Sequence, residues 1–374
     1  MTKDKLKVLE VTGEPIASGG QEMFIVNVLC HVNMKALQID LLTPYYCDNN
    51  AYRKDVEKFG GKVICQERPF HPGLLRTDII KPLYHYLRNN KYDVAHIHSG
   101  SITILALTSL ITWLCGIKKI IVHSHSTGKV KDLRYRLLKI FSYPFLRFIP
   151  DEYCACSVAA GEWKFPKSVV RKKLRVINNG VDLDLFSPNP DKRVEMRRNL
   201  GILESTLVIG NVGRFSLTKN HSFTFNVFKA LKDKIQDSKL VLVGDGELMD
   251  EAKERVIELG IEKDVIFVGR VNNVQDYVQA MDVFVFPSLW EGLGLVGVEA
   301  QGVGIPVIAS TNVPQEMKLT DDVFFLPLDN IESWIEKIIE VSSFPRKNNI
   351  DKIREQGYDI NQTAEEVRKL YITD

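Results

Sequence analysis

Pro287-Ser-Leu-Trp-Glu-Gly-Leu-Gly-Leu-Val-Gly-Val-Glu-Ala-Gln301 lies between two apolar runs, and its reading decides the fold. Asp282-Val-Phe-Val-Phe286 before it has the β-branched and aromatic character of a buried strand. Gly302-Val-Gly-Ile-Pro306 after it is a helix-stop signal, and Val307-Ile-Ala-Ser310 is a second buried strand. The stretch is therefore a strand–loop–helix corner at the carboxyl edge of a parallel sheet, where open α/β folds bind ligands. Gly292 and Gly294 let the backbone approach a ligand. The amides of Leu293, Gly294 and Leu295 open a helix whose positive end favours an anion by roughly 0.3–1 kcal/mol. Glu291 in the loop and Glu299 about two turns along the helix can face one hollow. Glu299 stands between Val298 and Ala300 in a helix with almost no other charge. A buried carboxylate needs partners, and a ligand rich in hydroxyl groups would supply them.

At 374 residues, two domains are expected. A formal charge of +2 gives no global argument for nucleic acid, and none is expected as a partner. The cations are uneven, however: Lys164 to Arg175 carries six and no acid, and Lys129 to Arg147 carries six against one aspartate. The six cysteines lack the spacing of a metal site and read as reduced thiols. Met1-Thr-Lys-Asp-Lys-Leu6 has no apolar signal-peptide core, and Ile102 to Ile117 is too short and polar to span a bilayer. A cytoplasmic protein is expected. Tyr135 to Phe148 sets Arg136, Lys139 and Arg147 among Leu137, Leu138, Phe141, Phe145 and Phe148. It reads either as a core helix with a basic outer face or as a helix lying on the inner leaflet of a membrane.

From the amino terminus, Leu6–Thr12 is a strand, the small-residue loop to Gly20 follows, and a helix runs from about Gln21 to Val32. Gly13, Gly19 and Gly20 do not form the dinucleotide fingerprint. Gln38–Thr43, Lys62–Cys65, Asp93–His98 and Ile120–Ser126 continue the alternation of strands with helices, which implies a doubly wound parallel sheet. His96 with His98, and His123 with His125, repeat at the period of a strand and share a face. No carboxylate or thiolate at nearby spacing completes a zinc site, so no metal is expected. Ser187-Pro-Asn-Pro-Asp191 is the natural linker. A second series of strands follows at 206–210, 239–244, 265–269, 283–286 and 307–310. Its first strand ends in Gly213-Arg-Phe-Ser-Leu-Thr-Lys219, where Arg214 and Lys219 suit a diphosphate. Asn272 and Asn273 are expected to cap the helix after Val271.

Glu291 and Glu299 within Glu-Gly-x-Gly, with Gly-Arg and Lys219 about 75 residues earlier, resemble the retaining nucleotide-sugar glycosyltransferases of the GT-B fold. The likeness is to the large group 1, family 4 class of bacterial polysaccharide and lipid enzymes, of capsular or exopolysaccharide type. It implies two Rossmann-like α/β domains facing a cleft, residues 1–186 for the acceptor and 187–357 for the donor, with a helix at 358–374 packed back on the first. It also implies transfer of a hexose from a nucleotide sugar, with UDP the default carrier, to a glycan or lipid-linked saccharide. No further cofactor is implied. The roles carried over are as follows. Gly19 and Gly20 approach the diphosphate. Glu22 serves the helix start or the acceptor, and His125 bonds the transferred sugar. Arg214 and Lys219 neutralise the leaving group. The backbone at Val271 reads the base. Glu291, Gly292, Leu293, Gly294 and Leu295 hold the sugar, and Glu299 holds the ribose. Leaving-group charge is thus met without a metal. An epimerase on the same fold, or a partner subunit without turnover, are the alternatives.

Overall fold

The computed structural model describes residues 5–17, 19–71, 76–126 and 133–372, in two compact units. Residues up to Gly180 and from Ile360 onward make the first, and Val181–Asp359 the second. Lys129 and Lys131 of the first basic run lie outside the described residues.

Among the described residues the first unit holds seven strands: β1 (Leu6–Thr12), β2 (Leu37–Thr43), β3 (Val63–Cys65), β4 (Val94–His98), β5 (Lys119–Ser124), β6 (Glu152–Ala155) and β7 (Leu174–Val176). They form one all-parallel sheet in the order β3-β2-β1-β4-β5-β6-β7. Parallel strands bury both faces, which explains the near-continuous apolar runs. Val8, Val94 and Ile121 belong to one core with the helices Gly20–His31 and Ile360–Ile372. Their neighbours Leu9, Ala95 and Ile120 belong to the opposite core with the helices Ile80–Asn89 and Ile102–Leu114. The strand order reverses direction between β1 and β4, so the adjoining carboxyl ends form a switch point.

The second unit repeats the plan with six strands: β8 (Leu207–Val212), β9 (Ser238–Val243), β10 (Val265–Gly269), β11 (Val283–Phe286), β12 (Val307–Ser310) and β13 (Val323–Leu326). Their order is β10-β9-β8-β11-β12-β13, again all parallel, and both faces are covered. The switch point falls between β8 and β11, whose following loops carry Arg214 with Lys219 and Glu291. Val181, Leu183 and Phe186 are in this unit's core, so the change of unit comes before the proline-rich Ser187–Asp191 segment.

The helix Leu133–Phe148 differs from a buried amphipath. Tyr135, Ser142 and Leu146 face inward, while Leu133, Leu137, Ile140, Phe141, Phe145 and Phe148 are exposed along one stripe. No helix among the described residues is long and apolar enough to cross a membrane. All six cysteines are free thiols.

Candidate functional site

In the second unit the loops after β8, β9 and β10 are laced by backbone bonds, Gly213 N to Val243 O at 2.9 Å and Gly244 N to Gly269 O at 2.9 Å. The loop after β8 is also tied to the corner after β11. Leu289 N donates to Thr218 O at 2.8 Å, and Asn220 Nδ2 donates to Pro287 O at 3.2 Å. Asn220 makes this junction from a left-handed backbone, φ 55°, at the head of the helix His221–Lys234. These bonds bring the two predicted motifs, about 75 residues apart in sequence, to one edge.

Lys219 is the residue on which they meet. Its stem crosses Gly213, where a Cβ would stand 3.1 Å from Lys219 Cε. Its ammonium lies 2.6 Å from Glu291 Oε1 and 5.1 Å from the centre of the Phe286 ring. Ser288 Oγ donates to the same carboxylate oxygen at 2.7 Å. Ser288, which sequence reading did not single out, is fully buried and held in turn by the Ser310 hydroxyl. The pair is mostly shielded from water, with Lys219 18% and Glu291 12% exposed.

Glu299 lies on the helix Leu295–Val303, partly buried, and its carboxylate makes no hydrogen bond among the described residues. Burial raises its carboxyl to about 7, with the Lys219 charge acting in the opposite sense. An acceptor this poorly solvated gains most from ligand hydroxyls. The helix begins at Gly294, whose φ of 88° suits glycine and whose Cβ would stand 2.7 Å from the Phe286 ring. Leu293 and Leu295 anchor the turn on the core, and Gly292 is exposed.

Arg214 is placed differently. Its side chain is 73% exposed and its Nε lies 2.9 Å from Glu247 Oε2 in the loop after β9. The structure therefore joins Lys219, Glu291 and Glu299, and sets Arg214 at the rim of the same loop. Val271 is half-buried against the core after β10. Asn273 stands at the head of the next helix, but its side chain donates to Asp276 Oδ2 at 2.9 Å instead of accepting from a backbone amide, so the expected cap does not form. A cavity of about 370 Å³ between the helices His221–Lys234 and Met249–Glu258 is lined by Phe215, His221 and Arg255 and excludes the three joined residues.

In the first unit, Gly19 is the N-cap of the helix Gly20–His31. Glu22, three residues on, folds back so that its Oε2 would collide with a Cβ at position 19. Burial raises this carboxyl to about 7, against bonds from the Glu22 and Gly19 amides. That geometry is the return half of a capping box. Nearby, Arg76 Nη1 donates to Gly13 O at 2.8 Å and Nη2 lies 3.1 Å from Glu14 Oε1. Buried Lys164, lowered to about 8 chiefly by burial, donates to Gly100 O. Neither Arg76, Glu14 nor Lys164 was marked by any motif.

The four histidines, three on β4 and β5 and His125 just past the end of β5, converge. His98 Nδ1 is 2.7 Å from His125 Nε2, and His98 Nε2 is 2.6 Å from Glu10 Oε2. No carboxylate stands at suitable ligand spacing from these histidines along the sequence. Glu10, 88 residues from His98, supplies one, because β1 pairs with β4 in the register Glu10↔His96. His96, His98 and His123 offer nitrogens within 4.8 Å of one another, yet both nitrogens of His98 are engaged. Asp-x-Asp spacing, which could offer two carboxylates to a metal, occurs once, at Asp182-Leu-Asp184. There Asp182 Oδ1 accepts from the amides of Asp184 and Leu185 as a turn cap.

Residues 192–359 match the family described as glycosyl transferases group 1, and residues 18–185 match Glycosyltransferase Family 4. EpsF of Bacillus subtilis (strain 168) is 29% identical, over 99% of this chain and 97% of that protein. The UDP-Gal:alpha-D-GlcNAc-diphosphoundecaprenol alpha-1,3-galactosyltransferase of Escherichia coli is 28% identical over 99% and 98%. Among solved structures, Anabaena HepE in complex with UDP superposes with a TM-score of 0.74 at 18% identity, covering 97% of this chain and 99% of that one.

Proposed function

From the premise that this chain joins a Family 4 to a group 1 glycosyltransferase domain, we propose that it is a retaining hexosyltransferase. It takes the hexose from a UDP-sugar and passes it to a glycan or lipid-linked saccharide in cell-surface polysaccharide synthesis. The observation that carries the reading is the group at the β8–β11 switch point. There Lys219 is ion-paired to Glu291 beside a half-buried Glu299 that has no partner of its own among the described residues. The similarity to a UDP-Gal-dependent enzyme and to a fold solved with UDP supports the choice of donor.

Each group has a task set by its chemistry. Glu299 accepts hydrogen bonds from the ribose hydroxyls, which replace the solvation it lacks. Lys219 neutralises diphosphate charge that grows as the glycosidic bond breaks, so it acts on rate as well as on binding. Arg214 exchanges Glu247 for a phosphate oxygen, a surface pair that costs little to open. Glu291 and the amides of Leu293 to Leu295 take sugar hydroxyls. Leaving-group charge is answered by fixed cations and a helix terminus, which makes the proposed transfer metal-independent. Retention follows a same-face substitution in which the leaving phosphate takes the acceptor's proton, and the relative's alpha product supports it.

A second part of the proposal concerns location. The helix Leu133–Phe148, with its exposed stripe, packs against the helix Ile102–Leu114, whose last residues Trp113 and Leu114 are also exposed. With Arg136 and Arg147 among them, these residues suit a peripheral contact with an anionic membrane, where lipid-linked acceptors reside.

The deciding experiment is transfer from a panel of nucleotide sugars with chelator present. Lys219→Ala and Glu291→Gln are each expected to cut kcat by roughly 10²–10³ with folding unchanged. Turnover that persists in both variants, or activity on the nucleotide sugar without an acceptor, would replace this reading.

A further inference from the structure

Within the first unit a line of hydrogen bonds runs under the sheet's carboxyl edge. Glu10 is 2%, His96 0% and His98 1% exposed. One Glu10 oxygen lies 2.6 Å from His98 Nε2, and the other accepts from the Tyr371 hydroxyl of the helix Ile360–Ile372. His96 Nδ1 lies 2.9 Å from that hydroxyl, and the Phe24 ring covers His123 and His125 at 5.0 Å from each. His125 Nε2 closes the line on His98 Nδ1 at 2.7 Å.

The protons of His98 and His125 can be placed from these contacts. Burial opposes a charge on Glu10, but the charges of His96 and His98 whenever those rings are protonated, and their hydrogen bonds to it, outweigh burial and hold the carboxyl well below its usual range, so it is an acceptor only. His98 must then carry its proton on Nε2. Burial holds His98 at about 4 and lowers His125 well below the usual imidazole range, so both rings are neutral near pH 7. A neutral imidazole has a single N–H, which leaves His98 Nδ1 as a lone pair. His125 must donate to it from Nε2, and His125 Nδ1 is left as a lone pair. That atom is buried and has no hydrogen-bond partner among the described residues.

We propose that Glu10 and His98 are positioning residues that lock His125 in its Nε2–H form, so that Nδ1 accepts a hydrogen bond from a substrate hydroxyl. The assignment of that hydroxyl to a sugar rests on the proposed transferase function; the tautomer does not. A ring locked this way cannot donate to a leaving phosphate oxygen from the same atom. It selects for a ligand that brings its own proton, and it resists rotation because the other nitrogen is anchored through two buried residues.

The test is two-bond 1H–15N correlation spectroscopy on protein labelled at histidine, with His98 and His125 assigned from their Gln variants. In the wild type both rings should show a protonated Nε2 and a bare Nδ1. Tyr371→Phe keeps the His98–Glu10 bond and should keep that pattern. Glu10→Gln should abolish the single fixed tautomer and lower kcat by roughly 10–100-fold, with the affinity for UDP unchanged. A protonated Nδ1 on wild-type His125 would overturn the proposal, with no variant needed. So would one equivalent of zinc in the purified protein that His123→Ala removes, because metal bound to His98 breaks the line. UDP titration, run in parallel, fails only if the functional reading fails.

Discussion

Lys219 serves two carboxylates at once, paired to Glu291 at 2.6 Å and acting through space on Glu299. This has a consequence for pH. Glu299 has a folded pKa near 7, above its ordinary 4.5, so it favours the folded state fully below about 4.5. That contribution is lost as pH rises from 4.5 through 7. The full shift corresponds to at most roughly 3 kcal/mol. Glu299→Gln should therefore stabilise the ligand-free protein at pH 8 by about 1–3 kcal/mol and leave it unchanged at pH 4, as read by denaturant titration at both values. The same variant should weaken UDP binding, because an amide replaces one acceptor oxygen with a donor. A Glu299→Gln protein no more stable than wild type at pH 8 would mean that the carboxylate has a partner or water supply in solution. Glu22, raised to about 7 by burial, adds a slope of the same sign, so the comparison must be made between variants and not along a single pH curve.

At the scale of elements, the corner after β11 depends on Gly294. An alanine there meets the Phe286 ring at 2.7 Å and takes a φ of 88°. Gly294→Ala should cost about 1–3 kcal/mol, seen as a lower denaturation midpoint with the slope unchanged, and should disturb donor binding as the amides shift. Gly292→Ala meets nothing within 4 Å and is the control for stability alone. This corner was legible in the sequence because buried parallel strands are continuous apolar runs and the loop between them is punctuated by glycines. The central strands of both sheets were legible for the same reason. The edge strands Leu174–Val176 and Val323–Leu326 were not: each is short and mostly only half-buried or exposed, so neither carries an uninterrupted apolar signal. The helix Leu133–Phe148 left two readings open, since periodicity shows that a stripe exists and not what covers it. The Glu10–His98–His125 line was invisible for a different reason. Its members are neighbours only through the β1–β4–β5 register, which no spacing along the chain encodes. Lys219 with Glu291 came together where the motifs placed them, whereas Arg214 turned to Glu247, a partner that the Gly244-Asp-Gly246 turn brings within reach.

At the scale of the whole molecule, a net charge of +2 conceals a local surface of another kind. Phe141 is 71% and Phe148 78% exposed, and Leu133, Leu137 and Ile140 extend the stripe, a row of large side chains that water solvates poorly. Lys167, Arg171, Lys172 and Lys173, all exposed, lie on a separate short helix of the same unit. Cations near an anionic bilayer contribute about 1 kcal/mol each within a Debye length, and aromatic side chains entering the headgroup region add apolar burial. The two contributions can be separated. Vesicles containing anionic lipid should bind the protein at low salt more strongly than zwitterionic vesicles do, and raising ionic strength should remove the difference. Phe141→Ser with Phe148→Ser should weaken binding to both kinds of vesicle at every salt concentration. Because neither side chain is part of the core, the melting temperature of the double variant should stay within a few degrees of wild type. Transfer to a soluble acceptor analogue should be unaffected, and transfer to a lipid-linked acceptor embedded in vesicles should fall. If the double variant co-sediments with vesicles as well as wild type does, the stripe is not the contact, and membrane attachment through this helix is ruled out.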